Sequence, residues 1–148
     1  MYSISKNFKF EAAHRLLSMP EGHPCRNFHG HSYVVKVTVS IKDISSLPNS
    51  NMIIDFGKLK EFQKWLDENF DHSTILNKDD AALFAILKSN NNKVRTMPFG
   101  DPTAERMAKF FWLIVRDICV PLLPKPFNIK IEVSETVGNI GAYEEVVE

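Results

Sequence analysis

The sequence predicts an α+β fold in which an antiparallel sheet is covered on one face by helices. Three observations predict it. Apolar residues alternate with a period of two near the start of the chain and again at its end. Between those segments they switch to helical spacing. The composition, 44% hydrophobic and 24% charged over 148 residues, is that of an ordinary globule and excludes a disordered or collagen-like chain. A chain of this length can bury roughly 68–70% of the surface its unfolded form exposes, enough for one core. No repeat, low-complexity tract or linker divides it, so one domain over residues 1–148 is expected.

Residues 4–13 carry Ile4, Phe8, Phe10 and Ala12 on one parity and read as a strand with one buried face. A loop follows, RLLSMPEGHPCRNF, broken by Pro20, Gly22 and Pro24. Residues 29–41 alternate more regularly: Tyr33, Val35, Val37, Val39 and Ile41 point one way, Lys36, Thr38 and Ser40 the other. A break over 45–51, with Pro48, leads into the short apolar stretch Met52–Asp55. From Phe56 to Phe70 the period changes, with Leu59, Phe62, Leu66 and Phe70 on one helical stripe that Asp-His-Ser closes. Ala81–Leu87 reads as a short helix ended by a turn at Asn90–Asn92. Asp101-Pro102-Thr103-Ala104-Glu105 marks a helix start, with Asp101 as cap, Pro102 at the first helical position and Glu105 in the first turn. That helix runs to about Cys119 and stops before Pro121 and Pro124. Phe127–Glu135 is a strand with Ile129, Ile131 and Val133 inward. Gly138–Gly141 and a short strand at Ala142–Val147 complete the chain. Two strands, two or three helices and two strands suit one antiparallel layer under helices.

Eighteen basic and eighteen acidic residues cancel, so charge gives no reason to expect a nucleic-acid partner. A neutral chain is not kept monomeric by self-repulsion, which leaves self-association open. The longest apolar run, Phe110–Val115, is far short of the ~20 residues that span a bilayer. The first residues, MYSISKNFKFEAAH, hold no apolar signal core, and two cysteines are too few for a disulfide scaffold. A cytoplasmic protein with free thiols, not attached to a membrane, is expected.

Four of the five histidines fall within residues 14–31, and His29-Gly30-His31 is the sharpest feature. On a strand, residues two apart share a face, so both imidazoles project to one side. If the two N-terminal strands form an antiparallel hairpin, pairing Phe8 with Val37 superposes the apolar faces and sets His14 opposite His31. A bare His-x-His is more often a pair of solvated strand-end residues; the convergence of His14 decides for a metal. Three neutral imidazoles meeting at one point make a zinc site with a vacant position. Cys25, four residues before His29, is either a fourth ligand closing that site or a thiol acting as base. His23 reads as an exposed loop residue and Cys119 as a buried hydrophobe. Asp71-His72 is either a proton-shuttling pair or a solvated helix end. Glu135, at a strand end, faces water unless a pocket lets it accept two hydrogen bonds from a guanidine-like edge.

Taken together, Phe10-Glu11-Ala12-Ala13-His14-Arg15-Leu16 and Cys25-x-x-x-His29-Gly30-His31 resemble the 6-pyruvoyltetrahydropterin synthase / 6-carboxytetrahydropterin synthase family. Ile54-Asp55-Phe56 with Leu59-Lys60, Asp71-His72, Pro102-Thr103-x-Glu105 and Glu135-Thr136 follow in the family's order. The likeness spans residues 8 to about 143. It implies the tunnelling fold: a four-stranded antiparallel sheet with helices on one face, joined through the sheets into trimers. Two trimers stack into a homo-hexamer with active sites between subunits. It also implies that His14, His29 and His31 hold one zinc ion per subunit. Cys25 would be the catalytic base, grouped with Asp71 and His72, and Glu135 would anchor a pterin. The three-residue gap between Cys25 and His29 resembles the bacterial 6-carboxytetrahydropterin synthases of queuosine biosynthesis. Those convert 7,8-dihydroneopterin triphosphate to 6-carboxy-5,6,7,8-tetrahydropterin, acetaldehyde and triphosphate. Two rivals remain: the animal-type 6-pyruvoyltetrahydropterin synthase, whose gap is longer, and a non-catalytic zinc module closed by Cys25. Two departures from the family pattern stand out: one extra residue between His72 and Leu76-Asn77, and a longer connection over 78–100, expected to add a helix and a hairpin-like excursion. Arg15, Arg26 and Lys36 are the candidate cations for the triphosphate.

Overall fold

In the computed structural model, which describes residues 1–47 and 51–148, the two alternating N-terminal segments pair as an antiparallel hairpin of β1 (Tyr2–His14) and β2 (His29–Ile41). Helix α1 (Lys60–Asn69), β3 (Ser73–Asn77), α2 (Ala81–Ser89), β4 (Val94–Met97) and α3 (Ala104–Cys119) follow. The chain closes with β5 (Phe127–Thr136) and β6 (Asn139–Val147). Pro48, in the expected break, lies outside the described residues.

Among the described residues the sheet has six strands, ordered β4-β3-β1-β2-β5-β6. The four expected antiparallel strands are present as β1, β2, β5 and β6. The correction lies beside β1, where β3 runs parallel to β1 and β4 parallel to β3. All five residues of β3 are buried, so the segment lacks the alternation that marks a half-exposed strand; short parallel strands covered on both faces read this way. The connection over 78–100 is therefore a β3–α2–β4 crossover and not a hairpin-like excursion.

The parity expected of the strands holds. Phe8, Phe10, Ala12, Tyr33, Val35, Val37, Ile129, Ile131 and Val133 are buried, while Ser5, Asn7, Lys9 and Glu11 face away from the core and are exposed. Helices α1 and α3 cover the apolar face, with Phe62, Leu66, Met107 and Phe111 at 0% exposure. Phe10 stacks on Tyr33 at 4.7 Å and meets Phe111 edge-on at 5.8 Å, which locks sheet to helix through aromatic contacts. Helix α1 begins at Lys60 instead of Phe56. Asp55 explains the delay, because its Oδ1 accepts from Gly57 N at 2.7 Å and holds a turn ahead of the helix. Its stripe of Leu59, Phe62, Leu66 and Phe70 is buried as the spacing requires.

The cap of α3 also differs from expectation. Thr103, in extended backbone, accepts from Arg106 N at 3.3 Å and starts the helix at Ala104. Asp101 is turned inward and bonded elsewhere.

Strand β6 reaches the start of α3 through Gly141. A Cβ there would stand 2.6 Å from Glu105 N and 2.8 Å from the Ala104 carbonyl carbon, neither of which is a flexible side-chain tip. Gly141→Ala is therefore expected to lower stability by about 1–3 kcal/mol, the scale of overpacking. Urea unfolding checks it, and a midpoint equal to that of the unsubstituted chain would mean that β6 can move off α3 freely.

Candidate functional site

Strands β1 and β2 are both 13 residues long and pair flush, from Tyr2 opposite Ile41 to His14 opposite His29. The register expected from the sequence, Phe8 with Val37 and His14 with His31, is corrected by two residues: Phe8 faces Val35. The expected register would have left His29 and Gly30 unpaired. A shift of two keeps every side chain on its face, so His14, His29 and His31 still converge. Their ligand atoms all lie within 4.8 Å of one another, and Cys25 is not part of that group.

Backbone carbonyls set the tautomers of two of these rings. His14 Nδ1 donates to Pro102 O at 2.9 Å, and His29 Nδ1 donates to Asn27 O at 2.6 Å. A carbonyl only accepts, so each Nδ1 carries a proton and each Nε2 a lone pair. Those two Nε2 atoms stand 3.1 Å apart. With neutral rings no proton lies between them. His31 Nε2 is buried and has no hydrogen-bond partner among the described residues. Burial pushes the His14 pKa down to about 4, the Pro102 carbonyl opposing it and the neighbouring His29 and His31 adding to it. Burial also lowers that of His31, against the pull of Glu135. Facing lone pairs and an orphaned buried nitrogen fit a metal ion, which would accept from all three.

Glu135, at the end of β5, stands 4.0 Å from His14 Nε2 and 3.9 Å from His31 Nε2. Those distances are too long for hydrogen bonds. It opens onto a cleft of about 500 Å³ lined also by Leu16, Met19, Thr103, Glu105 and Gly141. Glu105, read from the sequence as a first-turn acid and as part of the Pro102-Thr103-x-Glu105 motif without a role assigned to it, is thus brought to the same cleft as Glu135.

Cys25 is half-buried in a single 3-10 turn, Pro24–Arg26. Its carbonyl accepts from Leu16 N at 2.8 Å and its N–H donates to His23 Nδ1 at 3.1 Å. His23 is therefore a cap for this turn and half-buried, and not the free loop residue expected. Cys119 is buried, as expected, and burial pushes its thiol up to about 12. Two of the candidate triphosphate cations are committed to the fold. Arg15 grips the buried Asp80 through two bonds of 2.6 Å, and Arg26 donates to the Leu17 and Met19 carbonyls.

Asp71 and His72 are bonded to each other, His72 Nδ1 to Asp71 Oδ2 at 2.8 Å. The Glu11 N–H on Asp71 Oδ1, at 2.8 Å, is the main cause that holds this carboxyl below the usual range, and His72 adds to it. His72 has a left-handed backbone, φ 54, and an exposed ring. It lines a cleft of about 390 Å³ with Glu11, Ala13, Gly30, His31 and Ser32. Among the described residues no hydrogen bond or ion pair joins His72 to Cys25 or to the other histidines.

Over residues 3–146 the chain matches the 6-pyruvoyl tetrahydropterin synthase family. It is 33% identical to a 6-carboxy-5,6,7,8-tetrahydropterin synthase of Aquifex aeolicus, over 97% of this chain and 98% of that one. It is 35% identical to one of Rickettsia bellii, over 73% and 75%. Its fold superposes on the 6-pyruvoyl tetrahydropterin synthase of Plasmodium falciparum with a TM-score of 0.75 at 20% identity, covering 99% of this chain and 98% of that one. For the Caenorhabditis elegans 6-pyruvoyl tetrahydropterin synthase the TM-score is 0.65 at 25% identity, covering 97% and 95%. These neighbours share the tunnelling fold. No described helix is long and apolar enough to cross a membrane.

The depressed histidines make a pH prediction for the metal-free chain. Unfolded, a histidine takes up its proton near pH 6.5; folded, His14 does so only near 4. Between those values the unfolded chain binds more protons, so stability is complete above pH 6.5 and declines as the pH falls towards 4. Urea unfolding in the presence of a chelator should show this decline, and His14→Gln should make it shallower. An equal slope in the two chains would mean that other groups cause it.

Proposed function

The chain belongs to the 6-pyruvoyl tetrahydropterin synthase family, and we propose that it is a 6-carboxy-5,6,7,8-tetrahydropterin synthase. In this reading one domain over residues 1–148 acts in the cytoplasm on a small-molecule substrate. With one molecule of water it converts 7,8-dihydroneopterin triphosphate to 6-carboxy-5,6,7,8-tetrahydropterin, acetaldehyde and triphosphate, as a step of queuosine biosynthesis. The observation that carries the reading is the Aquifex aeolicus relative of that name, which aligns along 97% of this chain. The three residues between Cys25 and His29 agree with it.

His14, His29 and His31 would hold one zinc ion. Support comes from the donor set: tetrahedral zinc with nitrogens at 2.0–2.1 Å sets them about 3.3 Å apart, and His14 and His29 Nε2 lie at 3.1 Å. Zinc so held supplies a Lewis acid that stabilises negative charge on the substrate's side-chain oxygens. Cys25, as thiolate, removes a proton from the substrate side chain. His72, its Nδ1 held by Asp71, returns one. Glu135 accepts hydrogen bonds from the pterin edge, an arrangement its place beside the histidines and on the cleft supports. The exposed His72, unbonded to Cys25 within the chain, supports active sites completed between subunits, in a homo-hexamer of two trimers.

Two measurements test this. Cys25→Ala is expected to keep one zinc per chain and to lose turnover by at least about 100-fold, the lower bound for removing a positioned base. Zinc lost together with activity would make Cys25 a ligand and favour the closed, non-catalytic site. Incubating the protein with 7,8-dihydroneopterin triphosphate and trapping volatile aldehyde tests the product. Acetaldehyde is expected; triphosphate release with 6-pyruvoyltetrahydropterin and no acetaldehyde would transfer the function to the pyruvoyl branch.

A further inference from the structure

We propose that Asp101 is a positioning residue of the histidine centre, an inference that rests on the reading that His14, His29 and His31 hold a metal ion. The carboxylate is buried, at 6% exposure, and among the described residues no ion pair neutralises it. Three N–H donors meet it instead. Oδ1 accepts from Leu17 N and from Asn77 Nδ2, each at 2.9 Å, and Oδ2 accepts from Ser18 N at 2.9 Å. Leu17 and Ser18 begin the loop after β1, Asn77 ends β3, and Asp101 itself leads into α3. One side chain therefore ties together three segments that are far apart in sequence.

The next residue makes that tie matter for the site. Pro102 O accepts from His14 Nδ1 at 2.9 Å. The Thr103 N–H donates back to Asp101 O at 2.9 Å and closes the backbone around Pro102. With the Asp101 side chain anchored on Leu17, Ser18 and Asn77, the Pro102 carbonyl has one place to point. It keeps the His14 proton on Nδ1 and the lone pair on Nε2, aimed at His29. A partner behind a metal-binding histidine fixes ring orientation and tautomer in this way. The same anchor holds the start of the loop that carries Cys25, whose carbonyl returns to Leu16 N at 2.8 Å. Helix capping does not account for Asp101, because Thr103 performs it. An asparagine at 101 has one accepting oxygen for three donors and turns an NH₂ group towards at least one of them.

Asp101→Asn is therefore expected to weaken Zn²⁺ binding about 10- to 100-fold in competition with a chromophoric chelator. In the metal-free chain, ¹⁵N spectra should show His14 changing from a single Nδ1–H tautomer to a mixture. A purely structural role would lower the unfolding midpoint and leave zinc affinity and tautomer unchanged, which would overturn the proposal. If Asp101→Asn does not fold, Asn77→Ala decides, since it keeps the carboxylate and both main-chain donors. Zinc binding weakened roughly a few-fold, less than for losing the whole partner, supports the proposal, and unchanged affinity overturns it. An unsubstituted chain that takes up no zinc would overturn the metal centre and this inference together. Equal affinity in the unsubstituted chain and a folded Asp101→Asn would overturn the role of Asp101 alone.

Discussion

The pairing of β1 with β2 is the constraint on which the rest depends. Thirteen residues face thirteen, and the parity that buries Phe8, Phe10, Tyr33, Val35 and Val37 under the helices also aims His14, His29 and His31 inward at the open end. A slip of one residue would turn the core outward and scatter the imidazoles in the same movement. Full burial of a large apolar side chain stabilises by about 1.5–3 kcal/mol, and this hairpin buries many of them. The core therefore enforces the geometry of the histidines, which have no mutual attraction that could do so.

What the histidines contribute alone is unfavourable. Among the described residues the buried side-chain atoms without a partner are His31 Nε2 and Tyr33 Oη, and Tyr33 meets both His14 and His31 edge-on. An unsatisfied buried donor or acceptor costs about 1–3 kcal/mol. Both lie on neighbouring rings, 5.4 Å apart between centroids, and no other buried side-chain nitrogen or oxygen among the described residues lacks a hydrogen-bond partner. Carbonyls at Pro102 and Asn27 hold the rings so that their lone pairs oppose one another. That is local frustration kept in place by packing, and a cation at the meeting point would relieve it.

The legible parts of the sequence were those where one face is wet and one dry. Alternation around Phe8–Ala12 and Tyr33–Ile41, and the helical stripe from Leu59 to Phe70, report that contrast directly. β3 did not show, because Ser73–Asn77, buried throughout, has no wet face to alternate with, and β4, with Val94 and Met97 buried and only Arg95 and Thr96 between them, is too short to display a period. Parity placed the three histidines on one face but could not separate pairings that differ by two residues; matching strand lengths did that. Asp101 before Pro102 reads as a helix cap, and its actual partners, Leu17, Ser18 and Asn77, lie 24 to 84 positions away. No local pattern encodes such a contact.

Strand β1 also explains how two kinds of chemistry come to be held by one element. Its inward residue His14 belongs to the histidine group placed to hold a metal ion, while outward Glu11, three positions earlier, uses its backbone to hold the other pair. Glu11 N–H donates to Asp71 Oδ1, and Glu11 O accepts from His72 N at 2.7 Å. The left-handed turn at His72 then starts β3 beside Ala12; such a conformation is unfavourable for a residue with a side chain and persists where its surroundings hold it. The histidine centre and the Asp71–His72 pair are thus referenced to the same few residues of rigid sheet. Cys25 is different, because it sits on the loop between the strands, tied at Leu16 and free to vary in spacing from His29. A change in that spacing would move the thiol without disturbing the core or the Asp71–His72 pair, and it reaches the histidine group only through Asn27, whose carbonyl holds His29 Nδ1 at 2.6 Å. Loop length can therefore shift the Cys25 thiol while the sheet stays intact, and under the proposed reading, in which Cys25 is the base, it sets which substrate carbon that base can reach.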